Sequence, residues 1–223
     1  MAKKSSRRAT RSSARAKPAV RKQSSPAKKA APARHRRKKA AGSARSAPRA
    51  TPAMGTSMNK AEAQKLLDWV HAFTNKMIDT WPADKLTFQS APTDNHLLWT
   101  VGHLATTYTW LTGLLTGTMG TGDGGPLPAT YNDLFGYKSA PKPSAADYPP
   151  LSEVRRHMDA AYAQFVAALR SLAEADLAKP CAMDAMGFAS TRLDAVLKGC
   201  WHDGWHQGQL STLRRALGLP GVM

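Results

Sequence analysis

From Asn59 onward, apolar residues recur at three- and four-residue intervals in four blocks, the spacing of a buried stripe on an α-helix. The first block holds Leu66, Leu67, Val70, Phe73, Met77 and Trp81 and predicts a helix from about Asn59 to Thr80, stopped by Pro82. The second holds Leu97, Leu98, Val101, Leu104, Tyr108, Leu111 and Leu115, with Asp94 as the expected N-cap. Val154, Met158, Ala161, Phe165, Ala168, Leu169 and Leu172 predict a third helix from an N-cap at Ser152 to about Ala175. A fourth is expected from near Ser190 to Gly218, with Pro220 beyond it as a stop signal. Between the second and third blocks lies a Gly- and Pro-rich stretch, 117–150. It is longer than an ordinary connection and is expected to cross the bundle or cover a site. No alternating strand pattern of useful length occurs. Four helices of about 20–28 residues, each about 30–40 Å long, predict an all-α four-helix bundle over residues 59–223.

Charge changes the picture for the rest of the chain. Residues 1–58 contain eighteen Lys and Arg and no acid, and between Met1 and Pro52 the only large aliphatic side chain is Val20. A segment of that composition buries too little apolar surface to offset its conformational entropy, so it is expected to be a disordered basic N-terminal tail. The other fourteen of the 32 basic residues face all fifteen acids, so the formal charge of +17 divides into +18 for the tail and −1 for the bundle. The tail is therefore the expected non-specific nucleic-acid partner surface, and the bundle is not. The run from Ser24 to Pro32 is similar to the Ala/Lys/Pro-rich tails of linker-histone-like bacterial proteins. The tail has no apolar core that would make it a secretory signal, and no apolar run approaches the ~20 residues of a membrane span. Cys181 and Cys200 form no C-x-x-C and no disulfide framework, so a cytoplasmic setting with reduced thiols is expected. Met58, where the composition changes, is a second possible start of translation.

Candidate chemistry concentrates in the fourth helix. His202 and His206 are four apart, which stacks them on one face with Cβ atoms roughly 5–6 Å apart, close enough for two imidazoles to reach one metal at about 2.0–2.1 Å. The pair is not a zincin motif, because Asp203 stands where that motif carries its general-base Glu. Gly199, Gly204 and Gly208 each weaken this helix by about 0.8–1.0 kcal/mol relative to Ala, which implies either close packing or room for a ligand. On the second helix Asn95, Trp99 and His103 share one stripe, so a third histidine is at hand beside an indole. Of the remaining histidines, His71 and His157 lack a partner at ligand spacing, His35 belongs to the tail, and His96 is expected in a solvated or supporting role. Cys200, one turn from the histidine pair, reads as a ligand, a nucleophile or a small core residue. Trp201 and Trp205 read as pocket lining or core.

The W-x-x-G-H-L segment from Trp99 to Leu104, the H-x-x-x-H-x-G-Q-L run from His202 to Leu210 and the R-R-x-L-G-L-P run from Arg214 to Pro220 come in an order that resembles the DinB-like superfamily of bacterial four-helix bundles. The resemblance covers residues 59–223. It implies a divalent metal ion, such as Zn, Ni or Fe, held by His103, His202 and His206 with water completing its sphere. It also implies a thiol-dependent S-transferase or isomerase activity using a low-molecular-weight thiol such as bacillithiol or mycothiol and an electrophilic small molecule, and a possible homodimer. Metal-assisted hydrolysis fits the same ligand set. The alternative is a non-catalytic metal-binding module tethered to nucleic acid by its tail. A pocket open to solvent at the metal separates the two.

Overall fold

The computed structural model describes residues 58–119 and 127–222. Five helices follow in order: α1 (Lys60–Asp79), α2 (Leu97–Thr116), the short α3 (Thr130–Phe135), α4 (Leu151–Ser171) and α5 (Arg192–Ala216). Among the described residues there is no strand, and none of the helices is long and apolar enough to cross a membrane. The tail expected over residues 1–58 lies outside the described residues apart from Met58.

The four long helices form the bundle, and α3 interrupts the long connection between α2 and α4. α2 packs most extensively against α4, and α1 against α5. α2 is buried nearly all round, which explains why its sequence is apolar on more than one face. Leu67, Leu98, Leu104, Leu111, Val154, Met158, Phe165, Val196 and Leu210 fill the core, and Tyr108 sits fully buried among them.

The helix ends differ from expectation in instructive ways. α1 opens on a capping box, with the Glu62 backbone N–H donating to Asn59 Oδ1 (2.9 Å) and the Asn59 N–H donating to Glu62 Oε2 (3.0 Å). Asp94 does not cap α2. Its carboxylate instead accepts from the Ser90 and Ala91 backbone N–H groups and closes the preceding turn. The cap is His96, whose Nδ1 accepts from the Trp99 N–H (3.1 Å) while its Nε2–H donates to the Lys142 carbonyl (2.9 Å). Of the two roles expected for His96, solvated or supporting, the solvated one is ruled out, because the ring is fully buried and caps α2. α4 starts one residue before Ser152, with Pro150 at the cap, and ends at Ser171 instead of Ala175. There the Lys60 ammonium donates to the Arg170 and Leu172 carbonyls (3.1 and 2.7 Å), satisfying the helix's last acceptors from outside, and Leu172 turns extended.

Candidate metal centre

His103 projects from α2 and His202 and His206 from α5 toward one point. His202 Nε2 lies 3.3 Å from His103 Nε2 and 3.3 Å from His206 Nε2. Two nitrogens bound tetrahedrally to one ion at about 2.0–2.1 Å stand about 3.3–3.4 Å apart, so this spacing fits a shared ion.

Protons lead to the same conclusion. The Phe135 carbonyl can only accept, so His103 Nδ1, 2.7 Å away, carries the proton and its Nε2 carries a lone pair. Gln209 Oε1 accepts from the Asn95 amide (3.2 Å) and from His206 Nδ1–H (2.9 Å), which leaves His206 Nε2 bare as well. His202 Nδ1 is buried with no partner. Whichever nitrogen of His202 holds the proton, a buried polar atom goes unmet, and lone pairs crowd one small volume. A cation there would relieve the crowding of lone pairs, while His202 Nδ1 stays without a partner. The three rings are also in the protonation state that ligation requires. Burial, reinforced by the neighbouring rings, pulls the His206 pKa down to about 3 and that of His202 to about 4, and burial lowers that of His103. These three residues form the one group of His, Cys, Asp and Glu among the described residues that could hold a metal ion.

The surroundings explain the local sequence. A Cβ on Gly102 would fall 2.3–2.5 Å from the Phe135 ring, so glycine lets α3 lie against α2 and brings the Phe135 carbonyl onto His103. Trp99 stacks on His103 (centroids 4.6 Å apart, planes at 11°) and is itself held by its indole N–H donating to Ser139 Oγ (3.0 Å). The segment 135–139 of the long connection is therefore anchored to the site at both ends, as the expectation of a covering loop requires. Gly199 answers to packing, because its Cβ would come within 2.9 Å of Leu111 on α2.

Other candidates fall away or change role. Cys200 is buried in the core and burial pushes its thiol up to about 12, so it stays protonated at neutral pH and does not serve as ligand or nucleophile. Asp203 turns away from the three histidines into the core, where Tyr108 donates to it. Burial pushes its carboxyl up to about 7, and Oδ1 has no partner. His71 stacks on Tyr162 with centroids 3.6 Å apart, and His157 meets Tyr131 edge-on, both as buried packing residues. Trp201 and Trp205 are neither core nor enclosed lining, being 60% and 55% exposed. Sequence reasoning missed the Phe135 carbonyl and the Tyr108–Asp203 pair, neither of which has a motif. Gln209 did carry a signal, since it stands three residues after His206 on the same stripe.

No curated protein matches the chain. A family model described as the DinB superfamily matches residues 66–210, a span that runs from α1 into α5 and contains all three histidines. This match covers well over half of the sequence, and the chain belongs to the DinB superfamily.

Proposed function

We propose that the protein is a metal-dependent enzyme that transfers a low-molecular-weight thiol to an electrophilic small molecule, or hydrolyses such a molecule, in the cytoplasm. The observation that carries this reading is the convergence of three neutral imidazoles through Nε2 with no carboxylate or thiolate among them. His103, His202 and His206 would hold a divalent ion, Zn, Ni or Fe. Three protein ligands leave at least one position for a small molecule, which is the composition of catalytic and not of closed structural zinc sites. When bound, such an ion supplies Lewis acidity that makes a water or thiol more acidic.

The chain's own residues do the positioning. Phe135 and Gln209 fix the tautomers of His103 and His206, so their lone pairs point inward without a proton having to leave. Trp99 covers one face of His103 and excludes water from that side. His103 and His202 are half-buried, whereas His206 is buried. The test is elemental analysis of the purified full chain, followed by assays of thiol transfer and hydrolysis with and without His206→Ala. One ion per chain and activity lost in the variant are expected. Full activity in the variant, or no stoichiometric metal in active protein, sinks the proposal.

A second reading is favoured by the segregation of charge: +18 in residues 1–58 against −1 in the rest. There the same metal staples the bundle and the tail attaches it to nucleic acid. Stoichiometric metal with no thiol-dependent or hydrolytic turnover would select it.

A further inference from the structure

A cavity of about 190 Å³ opens between the turn before α2 and the C-terminal part of α5, lined by Thr93, Asp94, Asn95, Gln209, Thr212 and Leu213. Five of the six are polar, no Lys, Arg or His is among them, and Asp94 is the one formal charge. The volume is below the about 300–1,000 Å³ of sites that enclose drug-sized ligands, so it suits a small molecule or one end of a larger one.

Hydrogen bonding within the chain leaves part of this lining unused. Asp94 Oδ2 accepts from the Ser90 N–H, the Ser90 hydroxyl and the Ala91 N–H (2.9, 2.6 and 2.8 Å), while Oδ1 has no partner among the described residues. Asn95 Nδ2 donates to Gln209 Oε1 (3.2 Å), and Asn95 Oδ1 accepts from no described residue. Gln209 Oε1 serves both Asn95 and His206, whereas Gln209 Nε2 donates to no described residue. Among its charged and amide groups the cavity therefore offers two acceptors, one of them a carboxylate oxygen, and one NH2 donor.

We propose that this cavity binds a small molecule carrying a protonated amine and, a few bonds away, an acceptor oxygen, and that its occupancy is transmitted to the three-histidine centre through Gln209. The ammonium supplies donors for Asp94 Oδ1 and Asn95 Oδ1, and the acceptor oxygen takes the Gln209 Nε2–H. A carboxylate or phosphate in the same place would face Asp94 with no cation in the lining to offset the repulsion. A wholly apolar ligand would leave all three groups unmet.

Gln209 is the link because the direction of its amide decides the tautomer of His206. With Oε1 toward the ring, His206 carries its proton on Nδ1 and offers Nε2 to a metal. With the amide turned over, an N–H would face Nδ1, the ring proton would sit on Nε2, and that nitrogen could no longer ligate. Asn95 favours the first arrangement by donating to Oε1. A ligand that accepts from Nε2 favours it too, because the turned amide would set its own oxygen against the ligand's acceptor. Ligand and metal then strengthen each other's binding by the same factor. This coupling rests on the reading that the three histidines hold a metal, whereas amine binding does not.

Ethanolamine is the probe, with acetate as a control of similar size and opposite charge, added to the full chain at constant ionic strength. Proton–nitrogen correlation spectra of the metal-free protein follow the side-chain amides of Asn95 and Gln209. A saturable shift in the millimolar range is expected for ethanolamine, as suits a ligand of so few atoms, and none for acetate. Asp94→Asn, which keeps an oxygen for the turn at Ser90, should weaken binding at least about fivefold. Thr212→Phe, which fills the cavity from an exposed helical position, should abolish it, with far-UV circular dichroism unchanged in both variants. Chelator competition then reads the centre: saturating ethanolamine should raise metal affinity about fivefold in the wild-type chain and not at all in Thr212→Phe. No saturable shift up to about 100 mM, or an equal shift with acetate, overturns the site. A shift indifferent to both substitutions puts the probe elsewhere and overturns it as well. Binding that leaves metal affinity unchanged overturns the role of Gln209. A chain that holds no metal defeats the centre and with it the coupling, whereas the amine site stands or falls on the metal-free spectra alone.

Discussion

Burial keeps the three histidines of the centre neutral, and that fixes the sign of their pH dependence. Their pKa values are depressed in the folded chain, to about 4 for His202 and about 3 for His206, against about 6.5 in the unfolded chain. As pH falls below about 6.5 the unfolded chain takes up protons that the folded one refuses, so stability is fully present above that value and is lost progressively toward pH 4 and below. Asp203 works in the opposite direction. Its carboxyl, raised to about 7, favours the folded state at low pH and loses that contribution as pH rises through neutrality. Two strongly shifted imidazoles, with His103 shifted the same way, outweigh one carboxyl, so metal-free protein should lose stability on acidification from pH 7 to 5 in urea titrations. A gain over that interval would show that the rings are not buried neutral. The glycine before His103 gives a second expectation. Gly102→Ala drives a Cβ into the Phe135 ring, which should cost roughly 1–3 kcal/mol as overpacking. It should also shift the carbonyl that holds His103 Nδ1–H, lowering metal affinity by about 10–100-fold. A variant with unchanged affinity in chelator competition would remove Phe135 from the supporting shell.

The helices themselves were legible where periodicity speaks and obscure where a partner from elsewhere in the chain decides. Apolar spacing located all four long helices and put the start of α1 at about Asn59, where the structure shows a capping box closed by Glu62 within the first turn. The end of α4 could not be read, because its last carbonyls are satisfied by Lys60, more than a hundred residues away in sequence. The same limit applies to α2. Asp94 has the chemistry of an N-cap, but the turn at Ser90 and Ala91 engages it first and the cap falls to His96. At the site, i,i+4 spacing exposed His202 and His206, whereas bringing His103 to them needed either the fold or a family resemblance. Its backing carbonyl had no side-chain signature at all. Trp201 and Trp205 misled for a related reason, since helical spacing reveals that residues share a face but not whether that face is covered. The shared terminus of α1 and α4 is testable. Asn59→Ala should cost about 1 kcal/mol through loss of the capping box, and Lys60→Met about 0.5–1.5 kcal/mol more through the freed α4 carbonyls. Urea denaturation of the single and double variants measures both. An unaffected Lys60→Met variant would mean that water replaces the ammonium at no cost.

For the molecule as a whole, the charge division leads to an expectation that needs no coordinates. Eighteen basic residues and no acid in residues 1–58 should neutralise phosphates and release their counterions, whatever the base sequence. Each phosphate neutralised contributes roughly −0.9 to the slope of log affinity against log salt on duplex DNA. If about six of the charges engage, the slope is about −5, and affinity falls by roughly a thousandfold between 50 and 200 mM salt. Residues 1–58 contain no Phe, Tyr or Trp to stack on bases, so unrelated sequences of equal length should bind alike. A chain beginning at Met58 carries a formal charge of −1 and should lose this binding while keeping its helices and the three-histidine group. The measurement is a salt titration of DNA affinity for the full chain and the shortened chain. Equal affinities for the full and shortened chains would mean that the bundle itself contacts nucleic acid, and the division into a basic anchor and a near-neutral bundle would fall.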